Sequence, residues 1–136
     1  MIVVDSSVWI DFFNGQVTPQ TSKLLSIIGN EPLLVGDVIL CEVLQGARTE
    51  VHARVLEEEL RKFDLVAMLN PELAVAAAKN YRTLRTEGIT IRKTIDLVIG
   101  TFCIAHGHTL LHDDRDFGPM ENHLGLKTTV SESPAA

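Results

Sequence analysis

Cysteine, basic residues and long apolar runs are all scarce in this chain of 136 residues. Its two cysteines, Cys41 and Cys103, cannot build a disulfide framework. Both sit in apolar runs (VILCEVL and VIGTFCIAHG), which predicts two buried free thiols in a reducing compartment. The 12 Lys and Arg are outnumbered by 18 Asp and Glu, a formal net charge of -6. That balance excludes a protein that grips nucleic acid or an anionic membrane by bulk positive charge. The longest strongly apolar stretch, Leu97 to Ala105, falls short of the ~20 residues a membrane-spanning helix needs. The opening MIVVDSS lacks a basic segment, and Asp5 interrupts its apolar start, so no secretory leader is expected. A soluble, cytoplasmic protein follows. Internal repeats and low-complexity segments are also missing.

The 46% hydrophobic content and the length suit one domain with its own core, expected over 1–130. The small, polar tail over 131–136 is expected to fray. Short β-branched runs alternate with longer helical patterns. Strands are predicted at Ile2–Val4, Leu33–Val35, Leu65–Ala67, Thr109–Leu111 and Leu126–Thr128. Helices are predicted from Ser6 to Phe13, from the Thr18 cap to about Ile28, and from the Asp37 cap through Gly46. Three more run from Thr49 through Lys62, from Asn70-Pro71 to Gly88, and from the Thr94 cap through His106. The alternation implies βαβ units and a short parallel sheet covered on both faces, an α/β three-layer sandwich.

Ligands of an open parallel sheet bind at the carboxyl ends of its strands, where the following helices begin. Five acids fall there. Asp5 follows the first strand, Asp114 and Asp116 follow the fourth, Asp96 lies in the first turn of a helix, and Glu42 lies about a turn and a half into another. Each has an ordinary structural explanation. Asp5 can cap the helix at Ser6, Asp96 can favour a helix dipole, and Asp114 and Asp116 can form an Asp-rich turn together with Asp113. Glu42 can be a solvated helix charge. Yet Glu42 is the only charge between Val38 and Leu44, and Asp96 precedes the apolar LVIGTFCIA. A buried, unpaired carboxylate costs several kcal/mol or more and demands a partner. Clustered carboxylates also raise one another's pKa values, and a hard divalent cation removes that penalty. Oxygen-only ligands select Mg²⁺ or Mn²⁺ over zinc. Two such ions about 3.5–4 Å apart are a standard device for in-line displacement at a phosphodiester. This chemistry points to a metal-dependent nuclease or phosphatase.

Four segments in this order, MIVVDSSVWIDFF, VILCEVLQGA, IRKTIDLVIGTFCIAHG and LLHDDRDF, resemble the PIN-domain ribonucleases, most closely the VapC toxins of bacterial toxin–antitoxin pairs. The resemblance runs from Met1 to Thr128. It implies a metal-binding quartet of Asp5, Glu42, Asp96 and Asp114, with Asp116 as a supporting acid. It implies a Mg²⁺- or Mn²⁺-dependent endoribonuclease that leaves a 3′-hydroxyl and a 5′-phosphate on transfer or ribosomal RNA. It further implies a homodimer, neutralised by a VapB-type antitoxin, with any operator DNA contacts made by that antitoxin. Ser7 matches a hydroxyl position beside the site. Arg92, Lys93 and Arg115 are the basic candidates for substrate contact. Two departures stand out: His112 occupies a position where Thr or Ser is common, and Gly100 one where Ala is common.

Other features read more simply. Lys79, Arg82 and Arg85 recur along one helix and suit RNA phosphates or plain solvation equally well. His106, His108 and His112 straddle a strand without compact zinc spacing. Trp9 and Phe13, four apart, read as a core or dimer stripe rather than a base-stacking platform. Leu73, Ala76, Ala77 and Leu84 on the long helix read as packing, including a dimer face. Two alternatives from another class stay open: a catalytically silent PIN-like scaffold and a receiver-like binding module. The second lacks the paired acids and the late Lys that a phospho-receiver needs, because the first strand ends VVDSS and no Lys follows LLHDD.

Overall fold

The computed structural model describes residues 1–129; the expected tail over 131–136 lies outside them. Five short strands form one all-parallel sheet: β1 (Ile2–Val4), β2 (Leu33–Gly36), β3 (Asp64–Val66), β4 (Thr109–Leu111) and β5 (Lys127–Thr129), in the order β3-β2-β1-β4-β5. The helices between them are α1 (Ser6–Phe13), α2 (Pro19–Ile27), α3 (Asp37–Gln45), α4 (Glu50–Leu60), α5 (Pro71–Thr86), α6 (Thr94–His106) and α7 (Gly118–Leu124).

The strand order fixes the layers. Right-handed crossovers put α1 to α4, which serve the β1-β2-β3 side, on one face. They put α5 to α7 on the other. The chain leaves β1 toward β2 but leaves β4 toward β5, so the order reverses between β1 and β4. A crevice outside the carboxyl ends of those two strands is where such a sheet takes its ligand. Val4 pairs with Leu111 in the register, and Asp5 N–H donates to the Leu111 carbonyl at 2.9 Å. The β1–β4 ladder therefore extends to the first acid.

Sequence periodicity accounts for most of this. Val3, Val4, Val35, Leu110 and Leu111 are fully buried, as central parallel strands require. The edge strand β3 is exposed at Asp64 and Leu65. Trp9 is buried and packs against Phe13 (5.7 Å between ring centroids) and Phe63 (5.3 Å), so it belongs to the core. Thr18, Thr49 and Asn70 cap their helices as their residue types predict.

Four expectations are corrected. Cys41 is exposed, while Cys103 is buried; on α3 the buried face is Ile39 and Val43, and Cys41 lies off it. Asp37 and Thr94 are the first helical residues rather than caps, which are Gly36 and Lys93 and make no side-chain capping bond. The Asp37 carboxylate instead accepts the Met68 N–H at 3.0 Å, tying α3 to the segment after β3. Strands β3 and β5 are each offset by one residue from expectation. The short 3₁₀ turn Arg115–Phe117 and α7 were not expected; α7 buries only Met120 fully and so shows little periodicity. Among the described residues, no helix is long and apolar enough to cross a membrane.

Gly100 has a packing reason for lacking a side chain. A Cβ built there would overlap the terminal thioether of the buried Met120. Gly100→Ala would gain about 1 kcal/mol of helix propensity but overpack this contact, at about 1–3 kcal/mol. In a Met120→Ala background the overlap is gone, and Gly100→Ala is expected to stabilise. Urea unfolding of the four proteins should show a coupling of about 0.5–3 kcal/mol; strictly additive effects would contradict the contact.

Candidate active site

The structure brings Asp96, Asp114 and Asp116 together, while Asp5 and Glu42 stand outside that grouping within electrostatic reach of Asp114; each acid arrives by a separate local route. Asp5 caps α1: one carboxylate oxygen accepts the Ser7 N–H at 3.1 Å and the Ser7 hydroxyl at 2.6 Å. Its other oxygen is buried without a partner. Capping and site placement are thus divided between the two oxygens of one side chain. Asp96, in the first turn of α6, is 4% exposed, and one of its oxygens is likewise buried and unpartnered. Glu42 is half-buried on α3 and accepts the Ser6 hydroxyl at 2.8 Å. Asp114 caps the 3₁₀ turn by accepting the Asp116 N–H at 2.9 Å.

The carboxylates of Asp96, Asp114 and Asp116 bring an oxygen each within 4.8 Å of one another. Among the described residues this is the grouping of three metal-capable side chains, and it contains no histidine. His106 and His108 stack on each other (5.9 Å between centroids) beside Phe102, and His112 lies apart from them at the acids.

The electrostatics follow from crowding and burial. Burial pushes the Asp96 carboxyl up to about 7, helped by the negative charges of Asp5 and Asp114 and opposed by Lys93. Burial also raises Asp5, against the lowering effect of its bonds from Ser7. Burial raises Glu42 in the same way, against the Ser6 hydroxyl. Two cations face the cluster at long range: Lys93 Nζ lies 3.9 Å from Asp114, and Arg92 lies 3.5 Å from Asp116. Both cations are largely exposed, so these pairs are worth about 0–1 kcal/mol each and leave the crowding unresolved. Arg115 is exposed on the 3₁₀ turn.

The residues present suit a hard divalent ion. The grouped donors are all carboxylates, one of them, Asp96, keeps a buried oxygen without a partner, and so does Asp5, whose carboxyl feels the Asp114 charge. Sequence reading missed Ser6, whose position as the second of three residues in Asp5-Ser6-Ser7 was its only signal. The Ser7 hydroxyl, besides donating to Asp5, accepts the Asp113 N–H at 3.3 Å.

A stability prediction follows from the Asp96 shift. Between its ordinary value of 3.8 and about 7, the folded state keeps a proton that the unfolded state has lost. Folding stability of metal-free protein should therefore fall as pH rises through that window. Thermal unfolding in EDTA should show this decline, and Asp96→Asn should make it shallower, leaving the share of Asp5 and Glu42, and raise the melting temperature above pH 7. An unchanged slope in the variant would contradict the placement of Asp96.

The PIN domain family profile matches residues 2–121. Ribonuclease VapC11 of Mycobacterium tuberculosis is 30% identical over 132 residues, covering 93% of this chain and 96% of that protein. The VapC ribonuclease Mb1587 of Mycobacterium bovis matches with the same figures. Among solved structures, VapBC2 from Rickettsia felis, bound to a DNA fragment from its promoter, superposes with a TM-score of 0.76 at 16% identity. That match covers 95% of this chain and 98% of the other. FitAcB from Neisseria gonorrhoeae superposes with a TM-score of 0.72 at 20% identity, covering 94% and 96%. The structural likenesses speak for the fold, and the profile match and the 30% identical relatives for descent: the chain belongs to the PIN domain family.

Proposed function

We propose that this protein is the toxin of a toxin–antitoxin pair, an endoribonuclease that inhibits translation in the cytoplasm by cutting transfer or ribosomal RNA. The observation that carries the reading is the convergence of Asp96, Asp114 and Asp116 beside the unpartnered buried oxygens of Asp5 and Asp96. In a member of the PIN family with VapC ribonucleases among its relatives, that arrangement suits phosphodiester hydrolysis.

Asp5, Glu42, Asp96 and Asp114 would hold Mg²⁺, with Mn²⁺ as a substitute, and Asp116 would support them. A bound divalent ion would neutralise charge at the scissile phosphate and lower the pKa of water so that hydroxide is available as nucleophile. The chain's own residues do the rest. The Ser6 and Ser7 hydroxyls orient Glu42 and Asp5. Lys93 and Arg92 face the acids weakly in the free protein and can turn to RNA phosphates when cations replace them there. Ser7 and Arg115 complete the candidate substrate contacts.

The partner assignment is a VapB-type antitoxin, through which operator DNA would be bound, together with a second copy of this chain. An apolar groove between α5 and α6, lined by Leu69, Ala78, Tyr81, Leu97 and Val98, supports the second copy. Val75 is 71% exposed on the same helix. Leu73 and Leu84 are buried in the core, while the buried Ala77 also lines the groove, so the dimer face proposed on α5 is the stripe of Ala74, Ala77, Ala78 and Tyr81. Arg82 and Arg85 rim this groove, and Arg85 lies 5.7 Å from the Tyr81 ring centroid.

Three outcomes are expected. Asp5→Asn and Asp96→Asn should each lower RNA cleavage by more than about 100-fold, beyond the range of an outer-shell change, and abolish growth arrest while antitoxin binding persists. EDTA should stop cleavage by purified protein and Mn²⁺ should restore it; cleavage indifferent to EDTA would reject the metal. Ala78→Glu should convert a dimer to a monomer in light scattering, and an unchanged mass would remove the groove from the dimer.

A further inference from the structure

His112 follows the last residue of β4, and its side chain is 14% exposed. Nδ1 accepts the Asp114 N–H at 3.2 Å. A nitrogen that accepts an amide N–H carries no proton itself, which leaves a ring hydrogen on Nε2. That Nε2–H faces the Glu121 carboxylate, 3.6 Å from Oε2. The other Glu121 oxygen accepts the Thr128 hydroxyl, which anchors it to β5. The ring packs on the buried Phe117, 4.8 Å between centroids. The ring thus sits between α7 and the 3₁₀ turn, and Glu121, which faces it, is anchored in turn to β5.

What the ring holds is the turn that carries two of the acids. The Asp113 N–H goes to the Ser7 hydroxyl, the Asp114 N–H to His112, and the Asp116 N–H to Asp114 itself. The His112 bond spans two residues forward, as in the local turns made by Ser, Thr, Asn and Asp side chains. Without it, the turn bearing Asp114 is free to move away from Asp5 and Asp96, whose charges repel it.

We propose that His112 is a positioning residue: its Nδ1 holds the Asp114 amide so that Asp114 and Asp116 stay in place to bind the cation, while Phe117 packs against the ring and Glu121 faces its Nε2. The proposal rests on the metal-dependent reading of the site. The imidazole acts through Asp114 rather than on substrate.

The test compares His112→Phe, which keeps an aromatic ring against Phe117 but has no acceptor, with His112→Asn and His112→Thr, which restore an acceptor to the amide two residues on. In RNA-free protein, His112→Phe is expected to weaken Mn²⁺ binding by about 10–100-fold and to speed hydrogen exchange at the Asp114 amide. The Asn and Thr variants should bind Mn²⁺ within a few-fold of wild type. In RNA cleavage the Phe variant should lose kcat with KM nearly unchanged. Wild-type Mn²⁺ affinity with unchanged Asp114 exchange in His112→Phe would overturn the proposal, as would Asn and Thr variants as impaired as Phe. If the Phe variant fails to fold, NMR of the wild-type protein decides: a hydrogen bond from the Asp114 amide to His112 Nδ1 supports the proposal, and a hydrogen on Nδ1 rejects it. Because binding and exchange are read without RNA, a wild-type protein that binds Mn²⁺ but cuts no RNA would count against the nuclease reading alone.

Discussion

Buried negative charge without a matching positive charge is the constraint around which this molecule is arranged. Asp5 and Asp96 each keep an oxygen away from water with nothing to accept from, within the field of Asp114 and Glu42. A buried, unpaired carboxylate costs several kcal/mol. The protein offsets part of that cost locally. Ser6 and Ser7 donate to Glu42 and Asp5, Lys93 and Arg92 approach from solvent, and the Asp96 carboxyl, pushed up to about 7, keeps its proton through mildly acid conditions. None of these supplies a full countercharge in the crevice. The acids make physical sense as a site held ready for a cation.

The scaffold explains how so strained a cluster is held. The β1–β4 ladder carries Asp5 to the place where the strand order reverses, and α6 presents Asp96 there from a helix that is otherwise core. Asp114 and Asp116 arrive on a turn too short to have a core of its own, so its amides are tied to side chains. The net charge follows the same plan. Setting aside the five site acids from the total of 18 leaves 13 against 12 bases, so nearly all the excess acidity sits in one crevice. On the proposed function, such a crevice would take hold of metal first and recruit phosphate through it.

Much of the fold was legible in the sequence because two periodicities and a few caps carry it. Ile2–Val4 and Thr109–Leu111 are strands because nothing polar interrupts them, and Thr18 and Asn70 start helices because their oxygens accept the first free amides. The legible part of the site was each acid that breaks an apolar pattern: Glu42 within VILCEVL and Asp96 before LVIGTFCIA. What sequence left dark depends on contacts between distant segments. Cys41 sits in an apolar run yet faces solvent, because helical phase rather than local composition decides burial. Ser6 reaches Glu42 across 36 residues, and Glu121 meets His112, and Thr128 meets Glu121, only after α7 and β5 have packed. Asp116 reads in sequence as an accessory acid, and in space its carboxylate lies within 4.8 Å of those of Asp96 and Asp114.

The central claim is that these carboxylates form one cation site. Crystals grown without metal and soaked in Mn²⁺ near neutral pH, with anomalous differences measured at the manganese edge, test it most directly. The account predicts an anomalous peak in the crevice, about 2–2.5 Å from oxygens of Asp96 and Asp114, with Lys93 displaced from Asp114. Saturating Mn²⁺ with no peak there, and Lys93 still facing Asp114, would contradict it.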